Sequence, residues 1–183
     1  MEELKERKTI RLENYDYNNR GVYFITICTK NRECLLSNIV NAEDENYGSA
    51  QVVLTEYGKT ADKYLRQLND FYDFLSVEHY VIMPNHIHIL LFLKEHKSNG
   101  ENGFDSADPR FERSGRMANT AFSKFISTFK RFCNKEYGKN IWQTRSYDHI
   151  IRNREDCEAH IRYIYENPIN WYYDELFSID EKR

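Results

Sequence analysis

The chain has 183 residues, 40% of them hydrophobic and 15% aromatic, which supports one self-sufficient core and excludes disorder over most of its length. No apolar run reaches the length of a membrane span, and the charged start MEELKERKTI lacks a signal-peptide pattern, so a soluble cytoplasmic protein is expected. The formal net charge of −3 does not advertise a nucleic-acid binder, yet from Arg116 to Arg162 ten basic residues stand against five acidic ones, which permits a basic face on an acidic protein. Cys28, Cys34, Cys133 and Cys157 form no CxxC pair, which excludes zinc-knuckle spacing and a dense disulfide framework.

Residues 1–20 are polar and read as an extended arm. Gly21 opens VYFITICTKN, whose β-branched and aromatic residues predict a first strand. NIVNAEDENYGSA is polar with a turn-like end, and QVVL is a short second strand. Thr55 caps a helix over 56–72, in which Tyr57, Ala61, Tyr64, Leu65, Leu68 and Phe71 recur at helical spacing. SVEHYVIM and HIHILLFL flank Pro84-Asn85 and predict an antiparallel hairpin. Residues 97–116 are polar and glycine-bearing; they read as a mobile insertion within a single domain spanning 1–183, because too little chain follows for a second large core.

A long helix is expected over 117–136, with Ala118, Phe122, Phe125, Phe129, Phe132 and Cys133 as its apolar stripe and Gly138 as its stop. NIWQTRSYDHIIRN then reads as strand or irregular structure. Asn153 caps a last helix over 154–167, Glu155 and Asp156 suit its first turn, and Pro168 limits it. Strands mixed with segregated helices predict an α+β sandwich, with helices packed on one face of an antiparallel sheet.

His86 and His88 lie two apart in a strand and therefore share a face, while Ile87, Ile89, Leu91 and Leu93 point the other way. Two imidazoles on one face suit a divalent cation that polarises a phosphoryl oxygen, although a bare HxH pair is more commonly plain polar surface. Leu90 replaces the third histidine of an HUHUHUU nucleotide-hydrolase pattern, where U is hydrophobic, and the HxT and HxS pairs of two-histidine phosphoesterases are absent. In the last helix Tyr163 and Asn167 are four apart and share a side with Asp156 and His160, whereas Cys157, Ile161, Ile164 and Pro168 form a core-like stripe. Tyr165 is rotated about 200° from Tyr163, so the two cannot serve one site. Tyr163 is either a half-buried packing residue or a nucleophile, and Asn167 could then complete a Mg²⁺ or Mn²⁺ site.

Four ordered segments, MPNHIHILL, SKFISTFKRF, IWQTRSYDHIIRN and YIYENP, together with the opening YDYNNRGVYFITICTKNRECLL, resemble the REP-associated tyrosine transposases, relatives of the single-tyrosine HUH insertion-sequence transposases. The resemblance covers almost the whole chain. It implies a ferredoxin-like antiparallel sheet, with His86 and His88 as the HUH metal ligands and Tyr163 as the nucleophile. It also implies Asn167 as a third ligand, where many insertion-sequence relatives carry glutamine, and His149 as a fallback ligand or phosphate contact. The implied activity is metal-dependent cleavage and joining of single-stranded or hairpin-flanked DNA through a 5′-phosphotyrosine. No Walker-type phosphate-binding loop is present, consistent with a reaction that conserves the phosphodiester bond energy.

Lys130, Arg131, Arg145 and Arg152, with Arg154, are candidates for phosphate contacts, and each also suits simple solvation. Trp142 and Tyr147 are candidates for stacking on unpaired bases, Trp142 being also a candidate core residue. Competing readings are a domesticated, non-catalytic DNA-hairpin binder and a metal-binding or nucleotide-hydrolysing protein that merely shares HxH. The sequence allows a homodimer.

Overall fold

The computed structural model describes residues 20–40, 50–94 and 121–171. The arm before Arg20, the insertion at 97–116 and the predicted helix start at 117–120 lie outside the described residues.

Among the described residues, six strands and three α-helices follow one another as β1 (Gly21–Cys28), β2 (Ser37–Val40), β3 (Gln51–Leu54), α1 (Glu56–Phe71), β4 (Leu75–Ile82), β5 (His86–Leu93), α2 (Ala121–Tyr137), β6 (Tyr147–Ile151) and α3 (Arg154–Glu166). A 3₁₀ turn, Lys30–Arg32, follows β1. Four strands form one antiparallel sheet in the order β4-β5-β1-β6. With α1 and α2 as its crossovers, this is the βαββαβ pattern of a ferredoxin-like fold. The β2-β3 hairpin is inserted between β1 and α1 as a separate two-stranded ribbon.

The expected antiparallel α+β architecture is therefore present. Its main core lies on one side of the sheet, where Ile25, Ile27, Ile87, Ile89 and Leu91 meet Leu65 and Leu68 of α1 and Phe122, Phe125 and Phe129 of α2. Each fully buried aliphatic or phenyl side chain there contributes about 1.5–3 kcal/mol. The expectation of helices on one face holds for α1 and α2 only. α3 covers the opposite face, because its Cys157, Ile161 and Ile164 stripe packs on Phe24 and Leu90, which alternate with the main-core residues.

Local signals account for most boundaries. The Thr55 hydroxyl accepts a hydrogen bond from the Gly58 N–H at 3.2 Å and caps α1. The Asn153 side chain accepts one from the Asp156 N–H at 2.8 Å and caps α3. Gly138 adopts φ +69° just after α2, the left-handed stop expected of it. The Pro84-Asn85 turn is closed by the Met83 N–H donating to the His86 carbonyl at 2.9 Å. One strand lies in a stretch read as polar and turn-like: Ser37–Val40 pairs with QVVL across the ribbon.

Gly58 lets the first turn of α1 sit against β2. A Cβ at this position would collide with the Leu36 backbone carbonyl oxygen, which cannot swing away as a side chain could. Alanine ordinarily stabilises a helix interior by about 1 kcal/mol over glycine. Here Gly58→Ala is expected to destabilise the protein by about 1–3 kcal/mol through overpacking, read as a lower urea midpoint with an unchanged m-value. A midpoint equal to or above that of the parent would contradict this contact.

Candidate functional site

Antiparallel register determines what stands beside the histidines. His88 lies opposite Thr26 and His86 opposite Cys28, so these side chains share one face of the sheet. Both histidines are buried, and their ring centroids are 4.4 Å apart. His86 Nδ1 lies 2.8 Å from Asn85 Oδ1, while Asn85 Nδ2 donates to the Arg32 carbonyl at 3.3 Å. That second bond orients the amide, so His86 Nδ1–H donates to Asn85 and Nε2 keeps its lone pair. His88 Nδ1 lies 2.9 Å from Thr26 Oγ1. Its Nε2 is buried and has no hydrogen-bond partner among the described residues.

Burial, reinforced by the nearby His86 and His160, holds the His88 pKa well below its ordinary value, so the ring is neutral near pH 7. An imidazole whose Nδ1 is partnered and whose Nε2 carries a lone pair is the donor chemistry of a divalent-cation site. The residues present therefore fit such an ion.

α3 brings the tyrosine to this pair. The Tyr163 ring centroid is 5.1 Å from that of His88 and 5.9 Å from that of Phe24, and the residue remains 43% exposed. Phe24 is the floor of the site; it stacks on His88 at 5.0 Å and meets His160 at 4.6 Å. One turn past Tyr163, buried Asn167 forms the C-cap and donates its N–H to the Tyr163 carbonyl at 3.0 Å. The chain then turns so that buried Trp171 lies 5.9 Å from the His86 ring. Tyr165 points elsewhere: it is 66% exposed, and its hydroxyl lies 3.2 Å from His79 Nδ1.

A second polar group borders the site. His149 Nε2–H donates to both oxygens of Asp156, at 3.1 and 3.0 Å, and His160 Nδ1–H donates to the Asp156 carbonyl at 2.8 Å. The two imidazoles stack at 4.7 Å with their planes 17° apart. The ligand atoms of this trio lie within 4.8 Å of one another, close enough to hold a cation. Near-parallel rings, however, direct their in-plane lone pairs side by side, and Asp156 already accepts from both. The trio acts here as a brace between β6 and α3. Burial opposes ionisation of Asp156, but the Arg152 N–H and His149 outweigh it and hold the carboxyl below its ordinary value.

The structure thus gathers His86, His88, Tyr163, Asn167 and His149 on one side of the sheet. It does not gather all the residues expected to contact DNA. Trp142 is 2% exposed and packs 5.5 Å from Phe129, which corrects its assignment as a base platform. Arg131 lies on α2, behind the sheet, with its guanidinium 5.4 Å from the Phe132 ring. Lys130, also on α2, donates to the carbonyls of Gln143 at 2.8 Å and Thr144 at 3.4 Å, which gives it a structural task. Arg145 and Arg152 flank edge strand β6 and are exposed. Phe24, Thr26, Asn85 and Trp171 are parts of the site that pattern reading did not single out. Strand parity could have found Phe24; nothing local marks Trp171.

An α+β domain with two buried histidines and a helical tyrosine on one sheet face is the class that fold and site define. Known proteins share its sequence and fold to differing degrees. No family model matches the chain. An uncharacterized protein of Haemophilus influenzae is 29% identical over 95% of this chain and 94% of its own length. A second H. influenzae protein, provisionally described as a REP-associated tyrosine transposase, is 28% identical, with 90% of this chain and 81% of that protein covered. The REP-associated tyrosine transposase of Escherichia coli is 25% identical over 84% of this chain and 69% of its own. The solved structure of a REP-associated tyrosine transposase bound to a REP hairpin shares the fold, with a TM-score of 0.55 and 20% identity, covering 90% of this chain and 77% of that one. The chain is a relative of the REP-associated tyrosine transposases.

The Asp156 brace has a pH signature. A carboxyl whose folded pKa is depressed adds stability above its ordinary pKa and loses it as pH falls through the folded value. The difference in Tm between the parent and Asp156→Asn is therefore expected to be largest near neutrality and to shrink below the ordinary value of 3.8. A difference that grows on acidification would contradict the brace.

Proposed function

We propose that this chain nicks and rejoins single-stranded DNA, as a transposase-type strand transferase acting through Tyr163. The observation that carries the reading is the 5.1 Å approach of the Tyr163 ring to His88, within one chain and on the sheet face that holds both histidines. DNA is the favoured substrate because relatives are described as transposases, and because the related solved protein is bound to a REP hairpin.

In this reading His86, His88 and Asn167 would hold Mg²⁺ or Mn²⁺, which would withdraw charge from the scissile phosphate and lower the barrier to attack. The tyrosine, half-exposed on α3, meets DNA arriving from solvent while its ring stays against Phe24 and His88. Tyr163 Oη loses its proton and attacks phosphorus; the Oη–P bond forms as the P–O3′ bond breaks. The departing oxygen takes up a proton to give a free 3′-hydroxyl, and the 5′ side stays on the enzyme as a phosphotyrosine. Attack by another 3′-hydroxyl reverses the sequence and joins new ends. One phosphodiester is exchanged for another, so no nucleotide triphosphate is consumed. A phenol with a pKa near 10 needs such assistance at neutral pH. Hairpin DNA with an unpaired flank is the proposed target.

Incubation with labelled hairpin-bearing oligonucleotides from the DNA bordering the gene, with Mn²⁺, is expected to give a denaturation-resistant protein–DNA adduct. Tyr163→Phe should abolish it and Tyr165→Phe should not. Persistence of the adduct in Tyr163→Phe would sink the nucleophile assignment. Tight hairpin binding without any cleavage would favour a non-catalytic binder instead.

The double variant His86→Ala/His88→Ala should lose at least a hundredfold of cleavage rate while retaining oligonucleotide affinity, an order of magnitude set by typical losses of metal-assisted charge stabilisation, about 3 kcal/mol or more. Undiminished cleavage would contradict the histidine pair.

A further inference from the structure

Edge strand β6 enters the sheet irregularly. Trp142 bridges Thr29, and the Gln143 N–H donates to the Cys28 carbonyl at 2.9 Å. The regular ladder resumes only at Tyr147, opposite Thr26. The chain thus takes five steps on this side while β1 takes three, and Thr144, Arg145 and Ser146 loop out at the sheet edge. Two further interactions hold the entry end of this loop. Buried Trp142 anchors it in the core beside Phe129, and Lys130 donates to the Gln143 and Thr144 carbonyls from below.

The loop delivers Tyr147 into one cross-strand row with the site. Val81, His88, Thr26 and Tyr147 face the same side of the sheet in successive strands. Strand spacing places Tyr147 about 10 Å from His88 across Thr26. Unlike the other aromatics of this face, Phe24 and Phe92, Tyr147 is 60% exposed, and the exposed Arg145 sits two residues before it.

We propose that Tyr147 and Arg145 form a nucleotide subsite, in which an unpaired base beside the scissile phosphate stacks on Tyr147 and its flanking phosphate meets Arg145. The subsite rests on the function proposed above and adds to it the side from which the unpaired strand enters: across β6, not over α2. A base stacked on an aromatic ring is a sequence-tolerant contact, so this subsite selects single-stranded over paired DNA more than one base over another. Lys130 and Trp142 become positioning residues for the loop and make no DNA contact.

The test uses the full chain in a Tyr163→Phe background, so that binding is read without cleavage. The probe is the hairpin oligonucleotide from the gene-bordering DNA, carrying 2-aminopurine at successive unpaired positions. Quenching is expected at one or two positions. Tyr147→Ala should abolish it and weaken binding about tenfold, with Tyr147→Trp restoring both. Arg145→Gln should lower the slope of log affinity against log salt by about one.

Quenching and affinity that survive Tyr147→Ala, with adduct formation intact in the Tyr163 protein, overturn the subsite alone. Equal losses in Tyr147→Ala and Tyr147→Trp overturn it in favour of a structural role. A changed oligomeric mass in Tyr147→Ala with unaltered quenching assigns the residue to a contact between copies and also overturns it. Absence of both binding and adduct in the otherwise unaltered chain overturns the proposed function and the subsite together.

Discussion

β1 and β5 pair residue for residue from Gly21↔Leu93 to Cys28↔His86, in the middle of a sheet covered on both faces. Ile25, Ile27, Ile87 and Ile89 lie on one side of this pairing and Phe24, Thr26, His86 and His88 on the other. A slip of one residue would turn the isoleucines toward α3 and drive both imidazoles into the phenylalanines of α2. The register that protects the main core is thus the register that places the histidines. Burying two imidazoles is tolerable because each has an Nδ1 contact, to Asn85 or Thr26, and because His88 stays neutral.

Helix phase on α3 supplies the rest. Ile164 sits on Phe24 and Leu90 and fixes the rotation of the helix against the sheet. With Ile164 inward, Tyr163 falls at the rim over His88 and Tyr165 falls on the far rim beside His79. Asn153, Asp156 and His149 fix the entry end of the same helix, and the turn at Asn167–Asn170 carries the chain to Trp171 over His86. The proposed nucleophile is therefore held by packing on one side of a capped helix, and the half-exposed phenol keeps the access that a polymer substrate needs.

Much of this was legible in the sequence, where local periodicity and capping dominate. The alternation in HIHILLFL gave the face of both histidines, the Pro84-Asn85 turn gave the hairpin, and Thr55, Gly138 and Asn153 gave helix ends. Helical spacing alone separates Tyr163 from Tyr165. What was not legible depends on long-range pairing. SNIV looks polar because its register partner, QVVL, is what makes it a strand. Trp142 could be core or base platform by type, and only its bridge to Thr29 and contact with Phe129 decide for the core. By sequence Lys130 is one basic residue among many; its carbonyl partners, thirteen and fourteen residues away, set it apart. α3 on the second face follows from the parity of Phe24 and Leu90, which the helix stripe alone does not reveal.

In the proposed function, sheet register and helix phase together make one cation-assisted tyrosine site. Anomalous diffraction from crystals of the protein soaked in Mn²⁺ tests it most directly. The account predicts a peak bounded by the Nε2 atoms of His86 and His88 and the side chain of Asn167, on the Tyr163 side of the pair. A peak at His149, Asp156 and His160, with none at the histidine pair, would contradict it.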